Sequence, residues 1–348
     1  MTGDDGRFMR RALTLARRAW GRTSPNPMVG AVAVRDGRIV GEGFHPQVGL
    51  PHAEIYALRA AGKNARGATL YVTLEPCSTA GRTPPCTEAI IRAGVSRVTV
   101  AVVDPNPRHA GRGLEILRAA GIAAESGLLA AEAAELNKAF FHRMQTGKPY
   151  VLLKMAMTLD GKIATASGES KWITGVAARR RVQKLRQWCD AIMVGAETAR
   201  LDRPGLIVRS PADWPCQPEK WIFGRMREKE LHELFPADPG VSQCAPQNPA
   251  EWEAFLRGLG SRGINALLLE GGGELAGRAL QAGAVDEVEF HIAPRLLTGR
   301  NSRPVTGGAD PEFLAQAWHL ENWNIRRAGE DLIVSGRIAG RRETCLPD

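Results

Sequence analysis

His52-Ala53-Glu54 and, downstream, Pro76-Cys77-Ser78-Thr79-Ala80-Gly81-Arg82-Thr83-Pro84-Pro85-Cys86 supply one histidine and two cysteines within a short span. Imidazole nitrogen and thiolate sulfur are ligands that suit Zn²⁺, and a catalytic zinc keeps three protein ligands and one open position. Glu54 is poorly spaced to join His52 as a fourth ligand, but well placed to move protons. A purely structural zinc would want a fourth Cys or His, and the loop between the cysteines holds none. That loop is also long: eight residues separate sulfurs that a Pro-Cys-x-x-Cys signature would space by two.

Outward from these residues, strands and helices alternate. Met28–Val34 and Arg38–Phe44 are β-rich runs joined by Arg35-Asp36-Gly37, a hairpin signal. Ala53–Ala61 reads as a helix closed by Gly62, and Ala68–Leu74 as a strand. Pro84-Pro85 opens a helix to Ala93-Gly94, since proline is tolerated in a first turn. Arg97–Val103 is a strand, Asp104-Pro105-Asn106-Pro107 a loop, and a helix follows to about Ala120. Met1–Trp20 reads as an amphipathic first helix and Ala130–Gln145 as a closing one. A hairpin followed by βαβ units predicts an α/β sheet layered with helices. His52 and Cys86 then sit at helix N-termini and Cys77 in the loop after a strand, positions that converge at one sheet edge.

Thr146-Gly147-Lys148-Pro149 reads as a linker, which predicts domains over 1–146 and 150–340. The second half opens with a strand, Tyr150–Met157, and a turn, Leu159-Asp160-Gly161. Arg179–Trp188 is helical; Ala191–Gly195, Leu206–Arg209, Glu219–Phe223, Ile264–Leu269, Val285–Ala293 and Asp331–Arg337 read as strands. Glu270-Gly271-Gly272-Gly273-Glu274-Leu275 turns from strand to helix, a geometry that lets phosphate approach N–H groups at a helix N-terminus. A plain tight turn carries the same sequence. Seven prolines interrupt residues 210–250, which read as loops around one strand and one short helix.

At 348 residues, each domain can bury its own core. A composition of 44% hydrophobic and 24% charged residues excludes wholesale disorder. No apolar run approaches the ~18 residues of a membrane span, and the first residues lack the apolar segment of a signal peptide. Six cysteines in so long a chain make no disulfide framework, and Cys189, Cys216, Cys244 and Cys345 lack ligand spacing. A cytoplasmic location is expected. The net charge of +9 lies mostly in 1–146, with 19 Lys/Arg against 12 Asp/Glu; the remainder holds 27 against 25. A basic first half suits nucleic acid, a phosphorylated small molecule or a merely solvated surface.

A non-ligand Glu beside His and two Cys is the arrangement of zinc deaminases, where metal-activated water attacks and the carboxylate shuttles protons. Thr73-Leu74-Glu75-Pro76-Cys77-Ser78 and Gly81-Arg82-Thr83-Pro84-Pro85-Cys86 resemble the deaminase domain of bifunctional riboflavin-biosynthesis proteins. So do Pro25-Asn26-Pro27 with Val29-Gly30, and Asp104-Pro105-Asn106-Pro107 with Gly111-Arg112-Gly113. The resemblance continues in register through the second half. It implies an α/β chain: an N-terminal cytidine-deaminase-like three-layer domain, then a C-terminal dihydrofolate-reductase-like domain. It further implies hydrolytic deamination of 2,5-diamino-6-(5-phosphoribosylamino)pyrimidin-4(3H)-one at C2, then NADPH reduction of the ribosyl group to ribityl. On this resemblance His52, Cys77 and Cys86 hold one zinc per chain, Glu54 is the proton shuttle, and Asn26, Asp104 and Asn106 line the substrate pocket.

In the second domain the resemblance runs through Lys154, Leu159–Lys162, Ser167–Thr174 and Asp190–Ala196. It implies that Ser170, Arg186, Leu206, Arg209 and Glu270 contact the reductase substrate, the two arginines meeting its ribose phosphate. Ala156, Trp172, Thr198, Asp202, Gly272, Gly273, Glu274, Leu275, Ala276, Gly277 and Arg278 would contact NADPH. Lys154 and Asp202 are candidates for polarising or protonating groups. The chain departs from the family pattern at Thr79, Arg203 and Phe223-Gly224. The partner implied is a phosphorylated pyrimidine nucleotide, with no nucleic acid and no membrane, in a homodimer formed through the reductase domain. Two rival readings stand beside this one. One is a zinc deaminase editing flipped bases in nucleic acid, against which the cysteine spacing speaks. The other is an active deaminase whose second domain binds nucleotide without catalysis.

Overall fold

The computed structural model describes residues 3–79, 84–107, 109–236 and 240–341; residues 80–83 of the inter-cysteine loop, Arg82 among them, and Cys345 lie outside the described residues. Two compact units, Met1–Gly147 and Lys148–Asp348, divide the chain. Among the described residues no helix is long and apolar enough to cross a membrane.

The first unit runs α1 (Gly3–Ala16), β1 (Gly30–Arg35), β2 (Arg38–Phe44), α2 (Ala53–Ala61), β3 (Thr69–Val72), α3 (Cys86–Ala93), β4 (Arg97–Val100), α4 (Arg112–Ala119), β5 (Ala123–Ser126), α5 (Ala130–Leu136) and α6 (Lys138–Thr146). Its sheet has the order β2-β1-β3-β4-β5. β3, β4 and β5 are parallel, and β1 is antiparallel to both its neighbours. Asp36 (φ 52°) and Gly37 (φ 71°) form the two-residue turn of the β1–β2 hairpin, the left-handed pair that matches strand twist. β1 reads as an unbroken apolar run because both its faces are covered. Val32 and Val34 pack with Phe8, Met9 and Leu13 of α1, while Ala31 and Ala33 pack with Ala53 and Ala57 of α2, Ile90 of α3 and Leu117 of α4. The result is helices on both faces of one sheet. On β2, a Cβ at Gly41 or Gly43 would stand 2.2 and 2.4 Å from the carbonyl oxygens of Ala57 and Ala53. Only glycine lets α2 lie this close.

Several expected elements differ in detail. Strand β5 is absent from the sequence reading, because Ala-Ala-Glu-Ser carries no alternation. The helix expected over Ala130–Gln145 is two helices. They break at Asn137, whose Oδ1 accepts Met28 N (2.8 Å) and whose Nδ2 donates to Met28 O (2.9 Å). Pro85 is the N-cap of α3 and Cys86 its first residue, so both prolines precede the helix. The first helix ends at Ala16 and continues as a 3-10 turn, Arg17–Ala19.

The second unit comprises β6 (Tyr150–Thr158), β7 (Lys162–Ala164), α7 (Val176–Trp188), β8 (Ala191–Gly195), α8 (Ala196–Asp202), β9 (Glu219–Phe223), α9 (Glu228–Leu234), β10 (Ser242–Cys244), α10 (Pro249–Ser261), β11 (Ala266–Leu269), α11 (Gly273–Gln281), β12 (Glu287–Ala293), β13 (Arg303–Pro304), β14 (Trp318–Ala328) and β15 (Asp331–Arg341). Eight strands form one sheet in the order β10-β9-β8-β11-β6-β12-β15-β14. The first six are parallel; β15 and β14 close it antiparallel. Val151, Leu153 and Met155 of β6 pack with Leu267 and Leu269 of β11, Trp252 of α10 and Leu275 of α11. The opposite face of β6 presents Lys154 beside its register partner on β12, Glu289.

Leu206–Arg209 is not a strand. Leu206 has φ 47°, and side chains satisfy the backbone that follows. Gln217 brackets Val208 N and O, Gln183 accepts Arg209 N, and Arg186 donates to Ile207 O. The apolar run is there because Leu206 (0% exposed) and Val208 are buried, not because they pair in a sheet. Strand β14 escaped the sequence reading because its apolar alternation changes phase between Leu320 and Trp323, where the pairing with β15 shifts register.

Candidate active sites

In the first unit His52 caps α2 in extended backbone, Glu54 lies in that helix's first turn, and Cys86 starts α3. His52 Nδ1 lies 3.3 Å from Cys86 Sγ and 3.6 Å from Cys77 Sγ, and the three donor atoms fall within 4.8 Å of one another. Cys86 N donates to Cys77 Sγ at 3.3 Å. The Cys86 thiol, hydrogen-bonded to Cys77, brings the latter's pKa down to about 4; the same bond, with burial, pushes Cys86 up. Two sulfurs sharing one proton beside an imidazole are a donor set that a soft divalent cation fits once that proton leaves.

Glu54 is 3% exposed, and burial raises its carboxyl to about 7. Its Oε2 has no hydrogen-bond partner, as is also true of Ser78 Oγ and His109 Nδ1. Buried polar atoms are rarely left so, which marks a place prepared for something polar.

His45, which the sequence reading passed over, belongs to this site. It is 2% exposed, with its ring edge-on to His52 at 5.3 Å. Its Nδ1 lies 3.1 Å from Pro51 O, an acceptor only, so Nδ1 carries the proton and Nε2 accepts from Asn26 Nδ2 at 3.2 Å. Asn26 is thereby fixed in orientation. A second histidine seven residues before His52 was the available signal. Asp104 follows β4, its carboxyl raised chiefly by burial, and its Oδ1 accepts Asn106 N at 2.8 Å.

In the second unit a cleft of about 1420 Å³ opens at the carboxyl ends of β6, β8, β9 and β11, where open α/β sheets take ligands. Lys154, Ala156, Ser170, Trp172, Thr198 and Asp202 line it, as do Arg186, Arg209 and Glu270. Gly272, Gly273, Glu274, Leu275 and Arg278 complete the set from the strand-to-helix turn. Leu206 and Ala276 are fully buried and do not line the cleft. Nor does Gly277, where a Cβ would stand 1.9 Å from Gly307 O. The turn needs glycine for geometry as well: Gly271 and Gly272 have φ of 117° and 92°.

Arg186 departs from expectation. Its guanidinium makes a bidentate pair with Glu270 (2.7 and 2.6 Å), and a third bond goes to Ile207 O. Both side chains are 7% exposed, so the two charges are paired internally while still bordering the cleft. Ser170 Oγ donates to Asp202 Oδ1 at 2.6 Å. Burial pushes the Lys154 ammonium down, partly offset by Glu270. Trp172 is 60% exposed with the Arg179 guanidinium 4.7 Å from its ring centre. Arg180, Arg203, Arg225 and Arg303 also line the cleft and make it basic, none of them singled out as a site residue from sequence.

Residues 2–102 match the cytidine and deoxycytidylate deaminase zinc-binding region, and residues 149–334 match the RibD C-terminal domain. The riboflavin biosynthesis protein RibD of Escherichia coli is 44% identical, over 95% of this chain and 98% of that protein. The chloroplastic riboflavin biosynthesis protein PYRD of Zea mays is 48% identical over 96% of this chain and 88% of its own. Among solved structures, Acinetobacter baumannii RibD superposes with a TM-score of 0.88 at 39% identity, covering 97% of this chain and 99% of that one. A diaminohydroxyphosphoribosylaminopyrimidine deaminase/5-amino-6-(5-phosphoribosylamino)uracil reductase of Thermotoga maritima gives 0.84 at 34%, with the same coverage. A cytidine-deaminase-like unit joined to a dihydrofolate-reductase-like one, with relatives over nearly the full length, leaves the base-editing alternative behind: the chain belongs to the bifunctional deaminase/reductase family of riboflavin biosynthesis.

Proposed function

We propose that His52, Cys77 and Cys86 hold one zinc ion per chain and that Glu54 moves the protons of deamination. The observation that carries this is the convergence of three N/S donors beside a buried carboxylate with an unpartnered oxygen. When bound, zinc supplies the Lewis acidity that makes water a nucleophile at neutral pH. Glu54, buried with one carboxylate oxygen unpartnered, would take a proton from the attacking water and pass it to the leaving amine. His45 holds Asn26, and Asn26, Asp104 and Asn106 orient the pyrimidine so that C2 is presented.

In the second domain, proposed to span 150–340, Ser170, Arg209 and Glu270 bind the deaminated nucleotide, with Arg209 meeting its phosphate. Arg186 keeps Glu270 ionised and in place. Ala156, Trp172, Thr198, Asp202 and the turn from Gly272 to Arg278 bind NADPH, which when bound would supply hydride to C1′ of the opened ribose, giving the ribityl chain. The backbone of Ala276 and Gly277 shapes that turn, and Leu206 fixes the floor from behind. Lys154 and Asp202 polarise or protonate the sugar oxygen. The exposed edge strand β14, with Trp323 and Ile325 outward, supports a homodimer through this domain, in the cytoplasm.

The test is a coupled assay of ammonia release and NADPH oxidation, with zinc quantified, on wild type and Glu54→Gln. Glu54→Gln should lose at least about 10²-fold in ammonia release, while zinc content and reduction of pre-made deaminated substrate stay at wild-type levels. Equal loss of both steps would refute the two-site assignment.

A further inference from the structure

Thr73-Leu74-Glu75-Pro76 leads from β3 to Cys77, and Glu75 is only 4% exposed although it bears a carboxylate. Its N–H bonds Val102 O at 3.0 Å, beside the exit of β4. Its two oxygens accept four backbone N–H groups. Oε2 takes Asp104 N (3.1 Å) and Gly111 N (2.9 Å), and Oε1 takes Gly113 N (2.8 Å) and Leu114 N (3.4 Å). Asp104 and Gly111 bound the loop that carries Asn106. Gly113 and Leu114 lie in the first turn of α4, where unpaired N–H groups favour an anion. One oxygen closes the loop while the other caps the helix. There is no slack: a Cβ on Gly113 would stand 2.3 Å from Pro76 O, so α4 rests on the residue before Cys77.

Only a carboxylate can do this, because it accepts at every position. A carboxamide in its place turns an NH₂ toward two of the four donors whichever way it is flipped, leaving buried N–H groups opposed to N–H groups.

We propose that Glu75 is a positioning residue for deamination. It sets the Asp104–Asn106 loop against the Cys77 donor and so fixes the grip on the pyrimidine. This rests on the reading above that the loop lines the deaminase pocket. Asp104 passes the placement to Asn106 through its own hydrogen bond.

The experiment uses the full-length, zinc-loaded chain. Glu75→Gln should raise the KM for ammonia release about ten- to a hundredfold, the scale expected when a loop shifts by about 1 Å. Its zinc content and its kinetics on pre-made deaminated substrate should match wild type, the second reporting that the chain is folded. In an Asp104→Ala background, which removes the acceptor for Asn106 N, the same substitution should raise KM much less, because both changes act through one loop. An unchanged KM accompanied by a lowered Tm would make Glu75 a plain helix cap and overturn the proposal. Loss of zinc, or additive effects with Asp104→Ala, would overturn it too. If the glutamine variant is insoluble, Glu75→Asp, one methylene shorter, is read by the same two quantities: raised KM with zinc retained, or unchanged KM against the proposal. A wild-type chain that releases no ammonia would instead sink the deaminase reading itself.

Discussion

Replacing Glu270 by glutamine strips one charge from a buried pair while keeping its shape. Burial opposes ionisation of Glu270, and Arg186 outweighs it, holding the carboxyl below its usual range. Removing one member of such a pair costs about 3–5 kcal/mol, because the surviving charge stays buried. Ile207 O retains one Arg186 bond and glutamine keeps one acceptor oxygen, so the lower end, about 3 kcal/mol, is expected. In a unit the size of Lys148–Asp348, each kcal/mol moves Tm by about 2–4 °C, so its transition should fall by about 6–12 °C. Calorimetry reads that shift, with ammonia release as an internal control expected to be unchanged. Arg186→Met with Glu270→Met removes both charges at similar volume and should recover most of the stability, but none of the reduction if Glu270 meets the substrate as proposed. A Glu270→Gln transition within about 2 °C of wild type would mean the pair is solvated and the inference from burial wrong. A double variant that still reduces substrate would remove Glu270 from the reaction.

Gly277→Ala pushes a methyl group into the backbone at Gly307, whose carbonyl cannot step aside as a side chain could. It should cost at least about 2 kcal/mol and weaken NADPH binding, measured by cofactor fluorescence; an unchanged Kd would show that this contact does not shape the turn. Glu289 gives an acid limit to the second unit. Burial alone would raise its carboxyl, but His291 and Arg181 bring it down to about 2. Its contribution is therefore complete above the unfolded carboxylate range near pH 4.3 and disappears as pH falls toward 2. Acid titration followed by circular dichroism should show the second unit losing stability over that window, and Glu289→Gln should flatten the slope by about one proton. An equal slope in the variant would contradict it.

The convergence of His52, Cys77 and Cys86 was legible in sequence because it follows from residue type and spacing, which sequence records directly. Strands β1, β2, β8 and β9 were legible too, since alternation or continuous apolar runs mark sheets covered on one or both faces. What failed was whatever depended on remote partners. Arg186 looks the same in sequence whether it faces phosphate or Glu270, 84 positions away. Leu206–Arg209 has the apolar content of a strand, but side chains of Gln183 and Gln217 take its backbone. Asn137 breaks a helix because Met28 waits for its amide, and His45 joins the site through Asn26. Apart from the nine-residue reach from Gln217 to Val208, each of these contacts spans 19 positions or more, beyond any local window.

The glycine contacts of β2 with α2 carry a consequence for variation at a distance from the donors. Gly41 and Gly43 seat α2, and with it His52 and Glu54, by backbone contact, and the core behind it is made of alanine, valine, leucine and isoleucine. The placement of His52 and Glu54 is thus tied to two positions on β2 that carry no side chain. A methyl group at either position would push α2 away from the sheet and displace His52 and Glu54 together without touching either of them, so the site can be disturbed from a strand that contributes no functional side chain to it.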